Sequence, residues 1–158
     1  MQTEESTVSP VKYKSEYLSA LSVSRIIADD CVQFWRRLAL SESDLIQLEL
    51  CVVELVNNVV EHAYDYAINQ PILCETWLEE QKLQFRVSDY GSGMSEANLM
   101  QAKCCELRPP DPKDCSTWHS SGRGLQMVVR MVDEIQHYQK QGMNTTHIGK
   151  LIEHIEPS

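Results

Sequence analysis

The sequence lacks the features that place a protein in a membrane, in a secretion pathway or around a structural metal. No hydrophobic run approaches the roughly 18 residues needed to cross a bilayer. The polar, acidic start from Met1 to Ser6 does not resemble a secretory signal. The six cysteines include no Cys-x-x-Cys pair, so we predict reduced thiols and no zinc site. We therefore expect a cytoplasmic protein with no membrane partner.

Positively charged residues are few in the whole chain and absent from one long stretch of it. Against 23 Asp and Glu there are only 14 Lys and Arg, giving a net charge of −9. No nucleic-acid partner is expected, because such binders need clustered Lys and Arg. From Ser41 to Gln81 there is no Lys or Arg at all. If phosphates bind near this segment, a metal ion must supply much of the positive charge. That requirement fits magnesium held by one or two side chains together with the phosphates.

Two familiar nucleotide-binding motifs are also absent. No Gly-x-x-x-x-Gly-Lys-Ser/Thr run occurs, which excludes a Walker P-loop, and the strand–helix alternation of a Rossmann fold is missing. What is present is an ordinary globular composition, 42% hydrophobic and 23% charged over 158 residues. That length is typical of one domain, so we predict a single domain covering residues 1–158.

Hydrophobic patterning predicts three elements in the first half. Residues 8–20 have the imperfect alternation of an edge strand. Ser22 or Ser24 is expected to cap a helix that runs to about Leu38. Its predicted apolar face comprises Val23, Ile26, Ile27, Cys31, Phe34 and Trp35. After an N-cap at Ser41, a second helix is predicted to end near Ile68. Its predicted buried stripe comprises Leu45, Leu48, Val52, Leu55, Val59 and Ala63.

The second half predicts two hairpins and a helix. Residues 72–78 and 83–87 form the first predicted hairpin, and Glu134–Lys140 with Thr145–Ile152 form the second. A helix is predicted over residues 122–132. The largely irregular stretch from 91 to 121, with a short helix near 95–104, is typical of a lid or binding loop. The predicted fold is α+β, a two-layer α/β sandwich with helices on one face of a mostly antiparallel sheet.

Glu54 and Asn58 lie one helical turn apart, so both project from one face of the second predicted helix. A solvated polar stripe is the ordinary reason for such spacing. The alternative is a general base beside a magnesium-binding amide, because a neutral Asn can hold a metal without adding charge beside a triphosphate. The absence of Lys and Arg from this helix favours the alternative, since a solvated helix more often carries both signs.

Two glycine-containing turns follow. Asp89-Tyr-Gly91-Ser-Gly93 ends a predicted strand, where Asp and Gly are common turn residues. The Asp89 carboxylate could also accept a hydrogen bond from the exocyclic amine of adenine, while the glycines let the backbone approach the base. The run Gly122-Arg123-Gly124-Leu125 opens a predicted helix. It is either a simple helix start or an anion site, where free N–H groups and the helix dipole favour phosphate.

In this order, the three motifs resemble the N, G1 and G2 boxes of the GHKL (Bergerat-fold) ATPases. The N box would be Glu54-x-x-x-Asn58 with His62-Ala63-Tyr64, followed by Asp89-x-Gly91-x-Gly93-Met94 and Gly122-Arg-Gly124-Leu125. Within that superfamily, the chain most resembles the small anti-sigma-factor serine kinases of bacterial partner-switching systems. The resemblance covers nearly the whole chain.

The resemblance implies a role for each motif residue. Glu54 would be the catalytic base, Asn58 the magnesium ligand and Asp89 the adenine reader. The rest of the ATP site would comprise Gly91, Gly93 and Met94 near the base, and Gly122, Arg123, Gly124 and Leu125 around the phosphates, under a lid of about residues 100–121. One of Thr145 and Thr146 would touch the adenine from the final strand, and the sequence leaves open which.

The resemblance also implies an activity and partners. The chain would be a magnesium- and ATP-dependent serine/threonine protein kinase that forms a homodimer. It would phosphorylate an anti-anti-sigma protein and sequester a sigma factor or another regulator. The rival interpretation is a nucleotide-gated interaction protein without significant kinase activity. A pure binder needs Asp89 and the glycines but not Glu54, so Glu54 favours the kinase. A third interpretation, an ATPase subunit of a larger machine, is disfavoured by the expectation of a single domain.

Overall fold

The computed structural model describes residues 11–92 and 123–152. These two stretches contain five strands, three α-helices and one short π-helical segment. In chain order they are β1 (Lys12–Leu18), α1 (Val23–Arg36), α2 (Glu42–Asn58), the π-helical segment (Val59–Ala63), β2 (Pro71–Glu79), β3 (Lys82–Asp89), α3 (Arg123–Met131), β4 (Glu134–Lys140) and β5 (Met143–Leu151). The predicted lid over residues 100–121 and the short helix near 95–104 lie outside the described residues. No helix in the described ranges is long and apolar enough to span a membrane.

The five strands form one antiparallel sheet in the order β1-β2-β3-β5-β4. β1 is an edge strand, as its patterning predicts. β3 lies between its hairpin partner β2 and the distant β5, so Asp89 at the end of β3 pairs with Asn144 near the start of β5. This pairing brings the first glycine turn next to a strand that is remote in sequence.

The core lies between the three helices and one face of the sheet. Residues directly opposite each other on paired strands point to the same side. Phe85, Val87 and Ile148 therefore share the face that meets the helices, and all three are buried in the core. Trp35 of α1 donates a hydrogen bond from Nε1 to Thr76 Oγ1 of β2 at 2.9 Å. The predicted α+β two-layer arrangement is confirmed.

The first two helices begin where the sequence predicts, but two details of α1 differ from the prediction. Ser41 caps α2, since its Oγ accepts a hydrogen bond from the Asp44 N–H at 3.1 Å. Ser22 occupies the corresponding position of α1 but makes no side-chain capping bond. Ile26 was predicted on the apolar face of α1 but is 51% exposed, whereas the other predicted members of that face are buried: Val23, Ile27, Cys31, Phe34 and Trp35.

The prediction that the second helix continues to Ile68 is wrong. The α-helix ends at Asn58, and the following turn widens into the π-helical segment, in which the Tyr64 N–H donates to Val59 O at 2.9 Å. Asp65 and Tyr66 then adopt positive φ values of 48° and 63°, which a right-handed helix does not allow. π-helical turns occur frequently at functional sites.

Candidate nucleotide site

The described parts of the three motifs converge at one end of α2. Glu54 and Asn58 occupy its last two turns, Asp89 and Gly91 follow β3, and Gly124 stands in the first turn of α3. Gly91 contacts the backbone of Ala63, and Gly124 contacts the side chain of Glu54. The predicted site residues Gly93, Met94 and Gly122 lie outside the described residues, and so does the side chain of Arg123.

Glu54 and Asn58 share one face of α2 and are both partly buried. Burial raises the pKa of the Glu54 carboxyl above its ordinary value, and the negative charge of Glu61 raises it further. Glu61 stands seven positions after Glu54, in the π-helical segment. A carboxylate with a raised pKa is a stronger base, so this environment suits a residue that must accept a proton near neutral pH.

Gly124 brings the start of α3 against that carboxylate. An ideal Cβ at this position would lie 1.8 Å from Glu54 Oε2, far inside any allowed contact. Any larger residue at this position would therefore have to displace the Glu54 carboxylate from where it lies. The next residue, Leu125, is 4% exposed and belongs to the hydrophobic core. Its side chain anchors α3 against the rest of the fold, while any part it plays in ATP binding stays a prediction.

We expect Gly124→Ala to displace either the Glu54 side chain or the first turn of α3. Nucleotide turnover should then fall by at least about tenfold, while the melting temperature changes little, because α3 remains anchored through Leu125 and Val128. Gly149→Ala is the matched control for the generic cost of replacing a glycine, since its φ is not positive and a Cβ there would meet only side-chain atoms, the nearest of them 3.0 Å away. Unchanged turnover in Gly124→Ala would show that the contact has no functional importance.

Asp89 is 4% exposed, and its carboxylate is held by two donors. The Gly91 N–H donates to Oδ1 at 2.9 Å, and Asn144 Nδ2 donates to the same oxygen at 3.0 Å. Among the described residues, both hydrogen bonds to this carboxylate fall on Oδ1, which leaves Oδ2 to accept from a ligand. This arrangement matches what reading an exocyclic amine requires.

The turn after Asp89 is joined to the end of the π-helical segment. An ideal Cβ on Gly91 would lie 2.1 Å from Ala63 O, so the turn needs glycine here. The Ser92 N–H donates to the same carbonyl at 3.0 Å. Tyr64 adds a second link, since its hydroxyl donates to Pro71 O and accepts from the Tyr90 N–H at 2.9 Å. The predicted N and G1 boxes are thereby held as one unit.

The strand register separates the two threonines that the sequence left open. Thr146 lies on the face of the sheet that carries Val87 and meets the helices, and its Oγ1 is 3.0 Å from His137 Nδ1. Thr145 lies on the opposite face, where it shares a 2.8 Å hydrogen bond with Ser88. Of the two, Thr146 is therefore on the side of Asp89 and Asn144.

Asn144 is the site residue that the sequence analysis missed. No motif contains it, and Asn before two threonines reads as a turn residue following Gly142. Only the pairing of β3 with β5 places it opposite Asp89. No local sequence signal identifies it, because the register between β3 and β5 is a long-range property.

The residues at the site can also be tested for their fit to the predicted magnesium ion. The described residues contain no group of three or more His, Cys, Asp or Glu side chains that could hold a metal ion. Asn58 would hold the metal from the end of α2, with phosphate oxygens and water among the other ligands. That donor set fits magnesium, which binds proteins through one or two side chains and substrate phosphates.

The sequence and this geometry agree with a known family. A sequence model of the histidine kinase-like ATPase domain matches residues 21–150. The chain belongs to this family. The match runs from the turn before α1 into β5, so it includes all three motifs. The resemblance to the GHKL ATPases is confirmed.

Relatives of similar sequence are serine-protein kinases. Serine-protein kinase RsbW of Listeria monocytogenes serovar 1/2a is 28% identical over 134 residues, which are 83% of this chain and 78% of the relative. RsbW of Listeria innocua is 27% identical with the same coverage. The chain is thus similar to RsbW serine-protein kinases over most of both lengths.

Two solved structures share the fold. One contains the RsbU and RsbW domains of a Mycobacterium tuberculosis protein, with a TM-score of 0.61 and 15% identity over 90% of this chain. This chain spans only 32% of that longer one. The other is a chain of the SiaB–SiaC complex from Pseudomonas aeruginosa, with a TM-score of 0.60, 11% identity and coverage of 89% and 88%. At these identities the likeness shows the fold alone.

Proposed function

We propose that this chain is an ATP- and magnesium-dependent serine-protein kinase. Its substrate would be a serine of a small anti-anti-sigma protein, and it would sequester a sigma factor or a similar regulator, acting as a homodimer in the cytoplasm. The observation that carries the proposal is the partly buried Glu54 carboxylate with a raised pKa, placed against Gly124 at the start of α3. Similarity to the RsbW kinases supports it.

Phosphoryl transfer depends more on alignment and charge neutralisation than on covalent catalysis by the protein. Glu54 would orient the incoming serine hydroxyl and accept its proton at a carboxylate oxygen. Asp89 would hold the far end of the nucleotide by accepting from the adenine amine at Oδ2. The span between these two residues would then set the position of the terminal phosphate relative to the acceptor.

The start of α3 would help to stabilise the negative charge of the phosphates. The first N–H groups of a helix have no partner within it, and together with the helix dipole they favour a bound phosphate. The lack of a side chain on Gly124 lets these groups approach the region of Glu54. Asn58 would hold magnesium, which when bound neutralises phosphate charge that no Lys or Arg between residues 41 and 81 can offset.

Labelled-phosphate transfer to candidate anti-anti-sigma proteins, with a pull-down in parallel, tests the function directly. The kinase proposal predicts ATP-dependent labelling of a serine and release of the phosphorylated partner. Tight, ATP-dependent capture without any labelling would instead favour a nucleotide-gated binding protein. Neither labelling nor nucleotide-dependent capture would contradict both functions.

Asn58→Ala should lose most of the effect of magnesium on ATP binding. In the wild type, adding magnesium should tighten ATP binding severalfold or more, whereas the variant should bind ATP about equally with and without the metal. Calorimetry in magnesium and in chelator measures both. Asn57→Ala is the matched control, since Asn57 is a partly buried amide on the same turn of α2 but on a different face. An equal magnesium effect in Asn58→Ala and in the wild type would remove Asn58 as the ligand.

A further inference from the structure

Asn144 is almost completely enclosed, with 2% of its surface exposed, and its side-chain amide bridges two parts of the turn after β3. Nδ2 donates to Asp89 Oδ1 at 3.0 Å and to the carbonyl oxygen of Gly91 at 2.9 Å. A buried amide normally satisfies its polar atoms wherever it can. Here both bonds go to the residues expected to line the base pocket.

We propose that Asn144 is a positioning residue that fixes the rotation of the Asp89 carboxylate and thereby sets the base selectivity of the nucleotide site. The inference rests on the proposed binding of ATP and goes beyond it, because it assigns a role to a residue outside the three motifs. Asn144 acts through Asp89 rather than by touching the base.

The argument starts from the freedom of an aspartate side chain. Rotation about the last side-chain bond of Asp has a broad energy profile, so a carboxylate held at one point can swing. The Gly91 N–H alone would hold Oδ1 from within the same turn. The second donor, from Asn144, approaches from a different strand, and two donors on one oxygen define the plane of the carboxylate. Oδ2 is then presented in a fixed direction.

The bond to Gly91 O makes the same amide hold the turn itself. The carbonyl of Gly91 and the carboxylate of Asp89 cannot move independently while one nitrogen donates to both. Gly91 also contacts Ala63 at the end of the π-helical segment. Asn144 therefore fixes the carboxylate relative to the end of α2, where Glu54 and Asn58 lie, as well as relative to β5.

Packing alone is the competing explanation, and Thr145 provides the control. Thr145 is adjacent in β5 and equally enclosed, at 2% exposed, but it lies on the other face and pairs with Ser88. Thr145→Val removes one buried hydrogen bond without any contact to Asp89. A purely structural role for Asn144 predicts that the two positions behave alike.

The experiment measures the affinities of ATP and of purine riboside triphosphate, which lacks the exocyclic amine, by calorimetry on the full chain. The wild type should prefer ATP by about tenfold or more, the value of a hydrogen bond to a charged group. In Asn144→Ala the ATP affinity should fall by about tenfold while that of the amine-free analogue stays nearly constant, so the preference is lost. Thr145→Val should keep the preference.

The Asn144→Asp variant distinguishes a hydrogen-bonding role of Asn144 from a space-filling role. The substitution has nearly the same volume but replaces the donor with a second carboxylate facing Asp89 Oδ1. If Asn144 acts as a donor, this variant should bind ATP more weakly than Asn144→Ala does. If it only fills space, the aspartate should bind better than the alanine. Thermal unfolding of each variant shows whether the fold persists, and the ratio of the two ligands does not depend on the fraction folded.

The outcomes distinguish this inference from the proposed function. A wild type that binds no adenine nucleotide overturns the proposed function, and the inference with it. A wild type that prefers ATP, together with an Asn144→Ala variant that loses affinity for both ligands equally or for neither, overturns the inference alone. Loss of the preference in Thr145→Val as well would also overturn it.

Discussion

Asp89→Asn should abolish detectable ATP binding while leaving the fold intact. The amide of the variant can keep its oxygen toward the Gly91 N–H and Asn144 Nδ2, so both internal hydrogen bonds survive. Its nitrogen then occupies the position of Oδ2 and presents a donor to the donor amine of adenine. The cost is the lost hydrogen bond to a charged group, about 1.5–3 kcal/mol, plus the burial of unpaired donors.

Calorimetry with ATP measures this loss, and circular dichroism checks the fold. Asp30→Asn is the matched control, since Asp30 lies on α1, away from the site, and accepts a 2.7 Å hydrogen bond from the Tyr17 hydroxyl of β1. Its ATP affinity should equal that of the wild type. Wild-type affinity in Asp89→Asn would remove Asp89 from the nucleotide site.

Glu54→Gln should reduce phosphoryl transfer by about 10²–10⁴-fold, the usual contribution of a general base, while ATP still binds. Glutamine keeps the size of the side chain and its helix propensity, so the contact with Gly124 is preserved. What disappears is the ability to accept the proton of the serine hydroxyl. The complex with the protein substrate should persist longer, because the phosphorylation that releases it no longer occurs.

Single-turnover transfer of labelled phosphate measures the rate, with calorimetry for ATP in parallel. Glu42→Gln is the control in the same helix, since Glu42 forms an exposed ion pair with Arg36 and such pairs contribute little. Equal transfer rates in the wild type and Glu54→Gln would exclude Glu54 as the base. A parallel loss of ATP binding would mean that Glu54 serves the nucleotide rather than the acceptor.

Local sequence signals predicted most of the fold. The Ser41 cap, the stripe from Leu45 to Val59 and both hairpins follow from side-chain periodicity and turn chemistry, and all appear in the structure. The end of α2 could not be predicted this way. Periodicity continues through Ala63, whereas the backbone there is determined by tertiary bonds from Ser92 and by the positive φ of Asp65.

Some residues of the candidate site could likewise be predicted from local motifs, and others could not. Glu54, Asn58, Asp89 and Gly91 stand in motifs that can be read in order along the chain, and the structure places them at one end of α2. Asn144 and the distinction between Thr145 and Thr146 depend on the register between β3 and β5. That register is a long-range property, set by which faces of the two strands are buried, so no local pattern reveals it.

The pairing of β3 with β5 also determines at which point during synthesis of the chain the site can form. Asp89 and Asn144 meet across 55 residues of sequence, and long-range strand pairings form slowly because the intervening chain must first close. During synthesis, a chain elongated only as far as β4 has neither the strand beside β3 nor the amide that orients Asp89. The proposed competence to recognise a nucleotide is therefore acquired only once β5 has been made, later than the helices and the first hairpin.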